Sequence, residues 1–263
     1  MKALVLVIAG GGDIHEINEV SQRKTWAGKS SINIEVFWLK ASGSSDYKLE
    51  DRTIYVPCPD TVDSVLEKVI LGIKWMIEQQ KYDFLIISNT STYIDLRKTE
   101  SRLLQKAHDS RFVGGSFEYT RKEISNIPKG FKYLNASPLY LGLEAAGELS
   151  RMDYSCFAEM PLDLALYKYL RDLGYPAESV ARNNLCTHHL FVPKSCIRVK
   201  SWNNPTLTVK RMYLIFDYFE SRTHFERFKC WVEILRVEIQ ASNLTIGNGV
   251  KYLDRILKVF ARK

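Results

Sequence analysis

The sequence has no apolar run of about 18 residues, so no segment is long enough to form a membrane-spanning helix. It has no internal repeats, no low-complexity tract and no closely spaced cysteine pair of the kind found in zinc sites and redox motifs. We therefore expect reduced thiols in a cytoplasmic protein, although a disulfide between Cys186 and Cys196 stays open. The five cysteines are Cys58, Cys156, Cys186, Cys196 and Cys230.

Length and composition are those of a globular α/β protein. The chain has 263 residues, of which 46% are hydrophobic, and this suits one large α/β domain or a domain with an appendage. Residues 3–9 are apolar and are followed by three glycines. A short secretion signal can begin in the same way, but this run is brief, and we interpret it as a buried first strand.

Positive charge is concentrated in the last quarter of the chain. The net charge is +7, yet the residues before Lys194 sum to minus one, because fourteen Lys or Arg and only six Asp or Glu lie from Lys194 onwards. Such a basic segment suits an anionic membrane surface or a nucleic acid. A solvated helical face would have the same composition, so that alternative stays open.

The apolar pattern predicts strands that alternate with helices. One helix is predicted over residues 61–80, where apolar side chains recur at helical spacing, with Asp60 or Thr61 as its N-cap. This alternation is typical of an α/β fold with a mostly parallel sheet flanked by helices. The other predicted helices cover 95–107, 139–149 and 160–173, and the predicted strands cover 3–9, 33–39, 53–56, 83–87 and 112–116.

The pattern changes beyond Pro205, where three amphipathic segments are predicted to form helices. We therefore predict two domains, an α/β domain over residues 1–200 and a basic helical appendage over residues 201–263. The three segments cover 207–220, 224–240 and 248–261, and one face of the second carries Phe225, Phe228, Val232, Leu235 and Ile239.

Four segments of the chain occur in the order of four motifs of one enzyme family. They are Arg23-Lys24-Thr25-Trp26, Asp60 to Lys68 with Lys74-Trp75, Lys81 to Phe84 with Thr92 to Leu96, and Pro161 to Leu166. On these segments, the chain resembles the beta-1,3-galactosyltransferase and Fringe family of GT-A glycosyltransferases over roughly residues 1–195. That family has Arg-x-Thr-Trp, Asp-x-Tyr-x-Asn-Leu-x-x-Lys, Lys-Tyr-x-Phe before Asp-Asp-Asp and Thr-Tyr-Val-Asn-Leu, and a later Pro-Asp-Asp or Glu-Asp-Val.

The resemblance implies a GT-A fold and transfer of a sugar from a nucleotide diphosphate, with inversion at the anomeric carbon. It also implies a divalent metal held by the aspartate triplet and a downstream His. Here Asn89, Thr90 and Ser91 stand in place of the triplet, and such side chains bind hard cations poorly. We therefore expect no cofactor and weak or no metal dependence, with Mn²⁺ as the alternative. Cationic side chains within residues 182–200 would then take over the electrostatic role.

Inverting transfer needs a base that deprotonates the acceptor hydroxyl, and a carboxylate can serve. The second acid of the family's Pro-Asp-Asp motif maps onto Asp163, whereas the first maps onto Leu162, a departure. The resemblance therefore implies that Asp163 is the catalytic base, with Glu159 in reserve. Asp163 also begins a predicted helix, where the helix dipole favours an acid without any catalytic role.

Further residues are assigned to the donor and the acceptor. Arg23 matches an Arg that lies beside the nucleotide in the family, although an Arg on a helix surface would also fit. Gly10 and Gly11 permit a close approach of the backbone to a ligand, and Asp13 could bind a base or ribose. The remaining candidates are Asn89, Thr90 and Ser91 for the donor, His188 and His189 near the place of the family's metal-binding His, and Tyr140 for the acceptor.

Three functions are weighed on these grounds. The first is a glycosyltransferase that uses a nucleotide sugar, most often a UDP-sugar in the family, and a glycan or lipid-linked acceptor, with peripheral contact to an anionic membrane through residues 194–263. The second is a catalytically inactive relative that binds a nucleotide sugar or scaffolds other transferases. The third, binding of nucleic acid through the basic segment, is ranked last, and we expect no nucleic-acid partner.

Overall fold

A computed structural model describes residues 1–29, 31–180, 196–198, 205–221 and 223–241. The strands in these ranges are β1 (Ala3–Ile8), β2 (Ile34–Ala41), β3 (Lys48–Glu50), β4 (Thr53–Val56), β5 (Phe84–Asn89), β6 (Thr92–Ile94), β7 (Val113–Tyr119), β8 (Lys132–Gly142), β9 (Ala177–Ser179) and β10 (Cys196–Arg198). The α-helices are α1 (Asp13–Lys24), α2 (Val65–Glu78), α3 (Leu96–Leu104), α4 (Leu143–Ser150), α5 (Leu162–Asp172), α6 (Pro205–Glu220) and α7 (His224–Ala241).

Eight strands form one mixed sheet in the order β3-β4-β2-β1-β5-β8-β7-β9. The pairs β1–β2, β1–β5, β2–β4 and β7–β9 are parallel, whereas β8 runs antiparallel to both β5 and β7. The short strands β6 and β10 form a separate antiparallel pair. The predicted α/β class, with a mostly parallel sheet, flanking helices and a helical C-terminal part, is confirmed.

The central strands have apolar side chains on both faces, as buried parallel strands do. Alternate residues of β1 therefore enter two cores. Val5 packs in a core with Met212 of α6 and Trp231 of α7, whereas Leu6 packs in a core with residues of α2, α4 and α5, such as Ile70. The helices thus cover both faces of the sheet and leave the strand ends as its rim.

Helix α2 begins later than the sequence pattern predicts. Residue Ser64 holds the N-cap position, and its hydroxyl accepts a hydrogen bond from the amide of Thr61 at 3.1 Å. The predicted N-caps Asp60 and Thr61 are therefore wrong. The carboxylate of Asp60 makes other contacts, which fold residues 59–64 into a loop ahead of the helix.

Strand β8 is absent from the sequence prediction, which has a helix beginning at Leu139. In the structure, Leu139 and Leu141 pair with Ile87 and Leu85 of β5, and helix α4 starts only at Leu143. A short apolar run that is buried on both faces does not show by its periodicity whether it forms a strand or a helix. The pairing with β5 decides the outcome here.

The two C-terminal helices pack against the α/β part and against each other. Residues Met212 and Ile215 of α6 share a core with β1 and with Trp231 and Ile234 of α7. The predicted domain boundary near residue 200 and the third amphipathic segment lie outside the described residues. None of the described helices is both long and apolar enough to cross a membrane.

Candidate functional site

The parallel strands β1, β2, β4 and β5 all end at the same rim of the sheet, which we call the strand-end edge. Ligands of open α/β sheets bind beyond such carboxyl ends. Strand β1 leads into Gly10–Gly12, β4 leads towards Asp60, and β5 leads into Thr90 and Ser91. The residues predicted to bind the donor therefore share this edge with Asp60.

A buried lysine holds Asp60 against the loop after β1. The Lys68 ammonium donates to Asp60 Oδ1 at 2.6 Å and to the Ala9 carbonyl at 3.2 Å, while the Gly11 amide donates to Asp60 Oδ2 at 2.5 Å. Only 1% of Lys68 is exposed, so its charge is balanced by Asp60 rather than by water. We call Gly11, Asp60 and Lys68 the acid–lysine cluster.

The same contacts control the ionisation of Asp60. Partial burial acts to raise the pKa of Asp60, but the hydrogen bonds from Lys68 and from the Gly11 amide outweigh burial and lower it. Glycine is needed beside this carboxylate, because a Cβ on Gly11 would lie 2.7 Å from Asp60 Oδ2. Gly12 adopts a φ of +100°, which favours glycine for conformational reasons.

A histidine connects the start of α1 with the residues after β5. His15 Nδ1 lies 3.1 Å from Thr90 Oγ1, and its ring faces Gly10, where a Cβ would be 3.2 Å from His15 Cδ2. Gly10 and Thr90, both predicted to contact the donor, thus lie on either side of one imidazole.

Residues 89–92 form a closed polar turn, which we call the neutral turn. The amide oxygen of Asn89 accepts hydrogen bonds from the Ser91 amide at 3.1 Å, the Ser91 hydroxyl at 2.9 Å and the Thr92 hydroxyl at 2.9 Å. Gln22 Nε2 donates to the carbonyls of Asn89 and Thr92. Its amide oxygen in turn accepts from the Trp38 indole at 3.1 Å, which anchors the turn to the core.

The neutral turn does not fit the divalent metal that the family resemblance implies. Mg²⁺ and Mn²⁺ prefer carboxylate ligands, and the side-chain oxygens of Asn89, Ser91 and Thr92 are already hydrogen-bonded to one another. Over the described part of the chain, no group of three or more His, Cys, Asp and Glu side chains could hold a metal ion.

Hydrogen bonds continue from the neutral turn into β8 and β7. The hydroxyls of Thr92 and Ser137 lie 2.7 Å apart, and the Ser137 amide donates to Asn135 Oδ1 at 2.9 Å. Asn135 Nδ2 donates to Glu118 Oε1 at 3.0 Å, and the Tyr133 hydroxyl reaches Glu118 Oε2 at 3.4 Å. These contacts link the end of β5 to an acidic group on β7.

Asp163 lies near the far end of these contacts. It is half-buried in the first turn of α5, where Oδ1 accepts from the amide of Leu164 at 3.0 Å. Burial, followed by the negative charge of Asp163 and then that of Glu118, raises the pKa of Tyr133 to about 12. Asp163 is therefore close to Tyr133. Glu159 is exposed, and its carbonyl accepts from the Ser125 hydroxyl.

Two of the predicted contacts do not fit the structure. Tyr140 is fully buried within β8, so its side chain offers no surface to an acceptor. The guanidinium of Arg23 binds Glu19, Asp51 and Thr53 and lies 3.9 Å from the centre of the Trp38 ring, so these contacts leave it a structural role. Asp13 is exposed at the start of α1, whereas His188, His189 and the cations predicted within 182–200 lie outside the described residues, apart from the backbone of 196–198.

The sequence prediction did not assign four other polar residues to this edge: His15, Asp60, Lys68 and Glu118. Asp60 and Lys68 were visible as the first and last residues of a matched motif, and that spacing was the available signal. Nothing in the sequence connects Glu118 with the neutral turn, because the link passes through the unpredicted strand β8.

A cavity of about 720 Å³ lies away from the strand-end edge, between α3, α6 and the loop after α1. Its described charged residues pair with one another, since Glu220 binds both Lys29 and Arg97 and Lys98 binds Asp95. Tyr93 and Phe219 stack in it with ring centres 5.6 Å apart. We interpret it as a crevice in the interface of the C-terminal helices, not as the donor site.

The sequence matches no family model and no curated protein. A glycosyltransferase involved in the glycosylation of the major capsid of PBCV-1 has the same fold, with 9% identity, 81% of this chain and 100% of that chain covered, and a TM-score of 0.51. A197 from STIV is 13% identical, with 68% and 81% covered and a TM-score of 0.38. A 4-diphosphocytidyl-2C-methyl-D-erythritol synthase is 10% identical, with 81% and 99% covered and a TM-score of 0.44. We base the GT-A-like fold on the first, because the other two TM-scores are below 0.5.

Proposed function

We propose that this chain is a glycosyltransferase that moves a sugar from a nucleotide-diphosphate donor to a hydroxyl of a glycan or glycoconjugate. The carrying observation is the row of hydrogen-bonded polar residues that runs from the neutral turn to Glu118, near Asp163, at the strand-end edge of a GT-A-like sheet. The four matched segments favour the beta-1,3-galactosyltransferase and Fringe family, an inverting mechanism and a UDP-sugar donor.

In this proposal Asp163 accepts the proton of the acceptor hydroxyl as the oxygen attacks the anomeric carbon. The bond to the nucleotide diphosphate breaks as the new glycosidic bond forms, and the proton remains on the carboxylate. Its position in the first turn of α5 directs a carboxylate to this edge, and Glu159 stays in reserve. Tyr133 with its raised pKa stays protonated and can hydrogen-bond the acceptor or Asp163.

The leaving diphosphate needs compensating positive charge or hydrogen-bond donors. We propose that the backbone of Gly10 and Gly11, His15 and the amides that begin α1 supply part of it, together with the predicted cations within residues 182–200. Because the neutral turn lacks carboxylates, we propose weak or no metal dependence. Asn89 and Ser91 then contribute by shaping the turn rather than by binding a metal.

The test is turnover of UDP-sugars with and without EDTA, in the wild type and in Asp163→Asn. We expect the substitution to lower turnover by roughly 10²–10⁴-fold, the usual contribution of a general base, and to leave nucleotide-sugar affinity nearly unchanged. The matched control is Asp172→Asn, which removes an exposed acid from the other end of α5 and should leave turnover intact. Unchanged turnover in Asp163→Asn would remove Asp163 from the base role.

The second candidate is a catalytically inactive relative that binds a nucleotide sugar or scaffolds other transferases. The loss of carboxylates from the turn after β5 favours it. A wild-type chain that binds nucleotide sugars in calorimetry but transfers none to any acceptor would support this alternative. Turnover abolished by EDTA would instead contradict the proposed metal independence while leaving the transferase itself in place.

A further inference from the structure

Helix α7 is apolar on two opposite faces, and only one of them is covered. Trp231, Ile234 and Val237 are buried against α6 and the sheet. On the opposite face Phe225 is 66% exposed, Phe228 is 54% exposed and Val232 is 41% exposed. We call these three residues the apolar stripe. A helix that is hydrophobic all round normally has both faces buried, so the stripe lacks the cover that its composition calls for.

The stripe is bordered by positive charge. Lys229 and Arg236 follow it at helical spacing and are exposed, with the Lys229 ammonium 4.6 Å from the centre of the Phe225 ring. The whole C-terminal segment from Lys194 has a surplus of eight positive charges. An apolar strip edged by cations is the pattern of helices that lie in the plane of an anionic membrane surface.

A second copy of the chain is the competing occupant, and charge disfavours it. Pairing two stripes would bring Lys229 and Arg236 of both copies together, along with the positive surplus of both C-terminal segments. Repulsion between like charges at an interface opposes that arrangement. An anionic lipid surface satisfies both the stripe and its cations.

We infer that α7 is an in-plane membrane contact, with Phe225, Phe228 and Val232 entering the headgroup region and Lys229 and Arg236 binding anionic headgroups. This deepens the proposed peripheral membrane contact and does not depend on the transfer chemistry. Vesicle binding and sugar transfer are therefore measured separately, and the failure of one leaves the other standing.

The test is co-sedimentation of the full chain with vesicles of phosphatidylcholine alone or mixed with phosphatidylserine. We expect binding only to the anionic vesicles, weaker at high salt. Phe228→Ser with Val232→Ser should weaken it roughly tenfold or more, from the lost apolar burial. The matched control is Leu104→Ser with Leu143→Ser, which removes side chains that are 54% and 43% exposed elsewhere and should bind as the wild type does.

A second pair of variants separates apolar contact from charge. Lys229→Gln with Arg236→Gln should weaken binding about fivefold for each cation removed. Lys122→Gln with Lys129→Gln, two exposed lysines outside α7, should not. Absence of binding to anionic vesicles overturns the inference. Equal loss in the matched control also overturns it, as does concentration-dependent dimerisation that Phe228→Ser with Val232→Ser abolishes.

Discussion

The acid–lysine cluster and the neutral turn lie at the same edge of the sheet but handle charge in opposite ways. In the cluster a carboxylate is present and is already neutralised by buried Lys68. In the turn after β5 the carboxylates are replaced by Asn89, Thr90 and Ser91, whose contacts are local. Neither region therefore offers an uncommitted carboxylate to a divalent cation. This contrast is why we assign the charge compensation of the leaving group to other residues.

The largest expected effect tests whether Asp60 balances Lys68. Asp60→Asn leaves a buried ammonium without its counter-charge, and we expect the free energy of unfolding to fall by about 3 kcal/mol in urea denaturation. The double variant Asp60→Asn with Lys68→Met should recover most of the loss, because the uncompensated charge is gone. Asp63→Asn removes an exposed acid from the same loop and serves as control. Additive losses in the double variant would show that the two residues act independently.

The neutral turn should respond more weakly, because it contains no charge. Thr92→Val leaves the buried Ser137 hydroxyl without its partner at 2.7 Å, and we expect a loss of about 1–2 kcal/mol of unfolding free energy. Ser137→Ala should cost a similar amount, and the double variant less than the sum. A loss as large as that of Asp60→Asn would erase the distinction between the two regions.

The parts of this edge that depend on local sequence were predictable, and those that depend on distant pairing were not. Apolar runs identify β1 and β5 because both strands are buried on both faces, and the polar residues after them follow directly. The α2 pattern gives the helix but does not show that Lys68 points inward, since a lysine at such a spacing is usually solvated. Its burial depends on Asp60 and Ala9, which reach it only through the fold.

Asp163 shows the same limit at the level of the site. The matched segment places an acid at the start of a helix, and that prediction of position holds. Its closeness to Tyr133 and Glu118 depends on β8, whose apolar half was interpreted as a helix. Its role as catalytic base stays a prediction.

Ionisation of Tyr133 tests the proximity of Asp163 without any activity assay. The pKa of Tyr133 is raised to about 12 by burial and then by the charges of Asp163 and Glu118. We expect Asp163→Asn to lower this pKa by roughly one unit or less, since one nearby charge is lost. Tyrosine ¹³Cζ NMR across alkaline pH measures the shift, with Asp172→Asn as control. An unchanged Tyr133 pKa would place Asp163 too far away for the proposed role.

Restoring one acid to the neutral turn should make it resemble the other region. Asn89→Asp keeps the oxygen that accepts three hydrogen bonds, so we expect unfolding free energy within about 1 kcal/mol of the wild type. The new carboxylate should allow weak Mn²⁺ binding, with a Kd of roughly millimolar. The measurement is a rise in Tm with added Mn²⁺ that neither the wild type nor the loop control Asn126→Asp shows. A wild type that Mn²⁺ stabilises equally would show that the turn binds metal without the acid.

Acid should abolish the difference between wild type and Asp60→Asn, which is the smallest effect we expect. Hydrogen bonds from Lys68 and Gly11 lower the pKa of Asp60 in the folded state despite partial burial. A depressed pKa stabilises the fold above the pKa of the unfolded carboxyl, about 3.9, and this stability disappears as pH falls through the folded pKa. Urea denaturation at pH 6 should therefore separate the two proteins, and the gap should narrow below about pH 4 as Asp60 protonates. A gap that stays constant with pH would mean that the substitution acts through packing, and that charge does not distinguish the cluster from the turn.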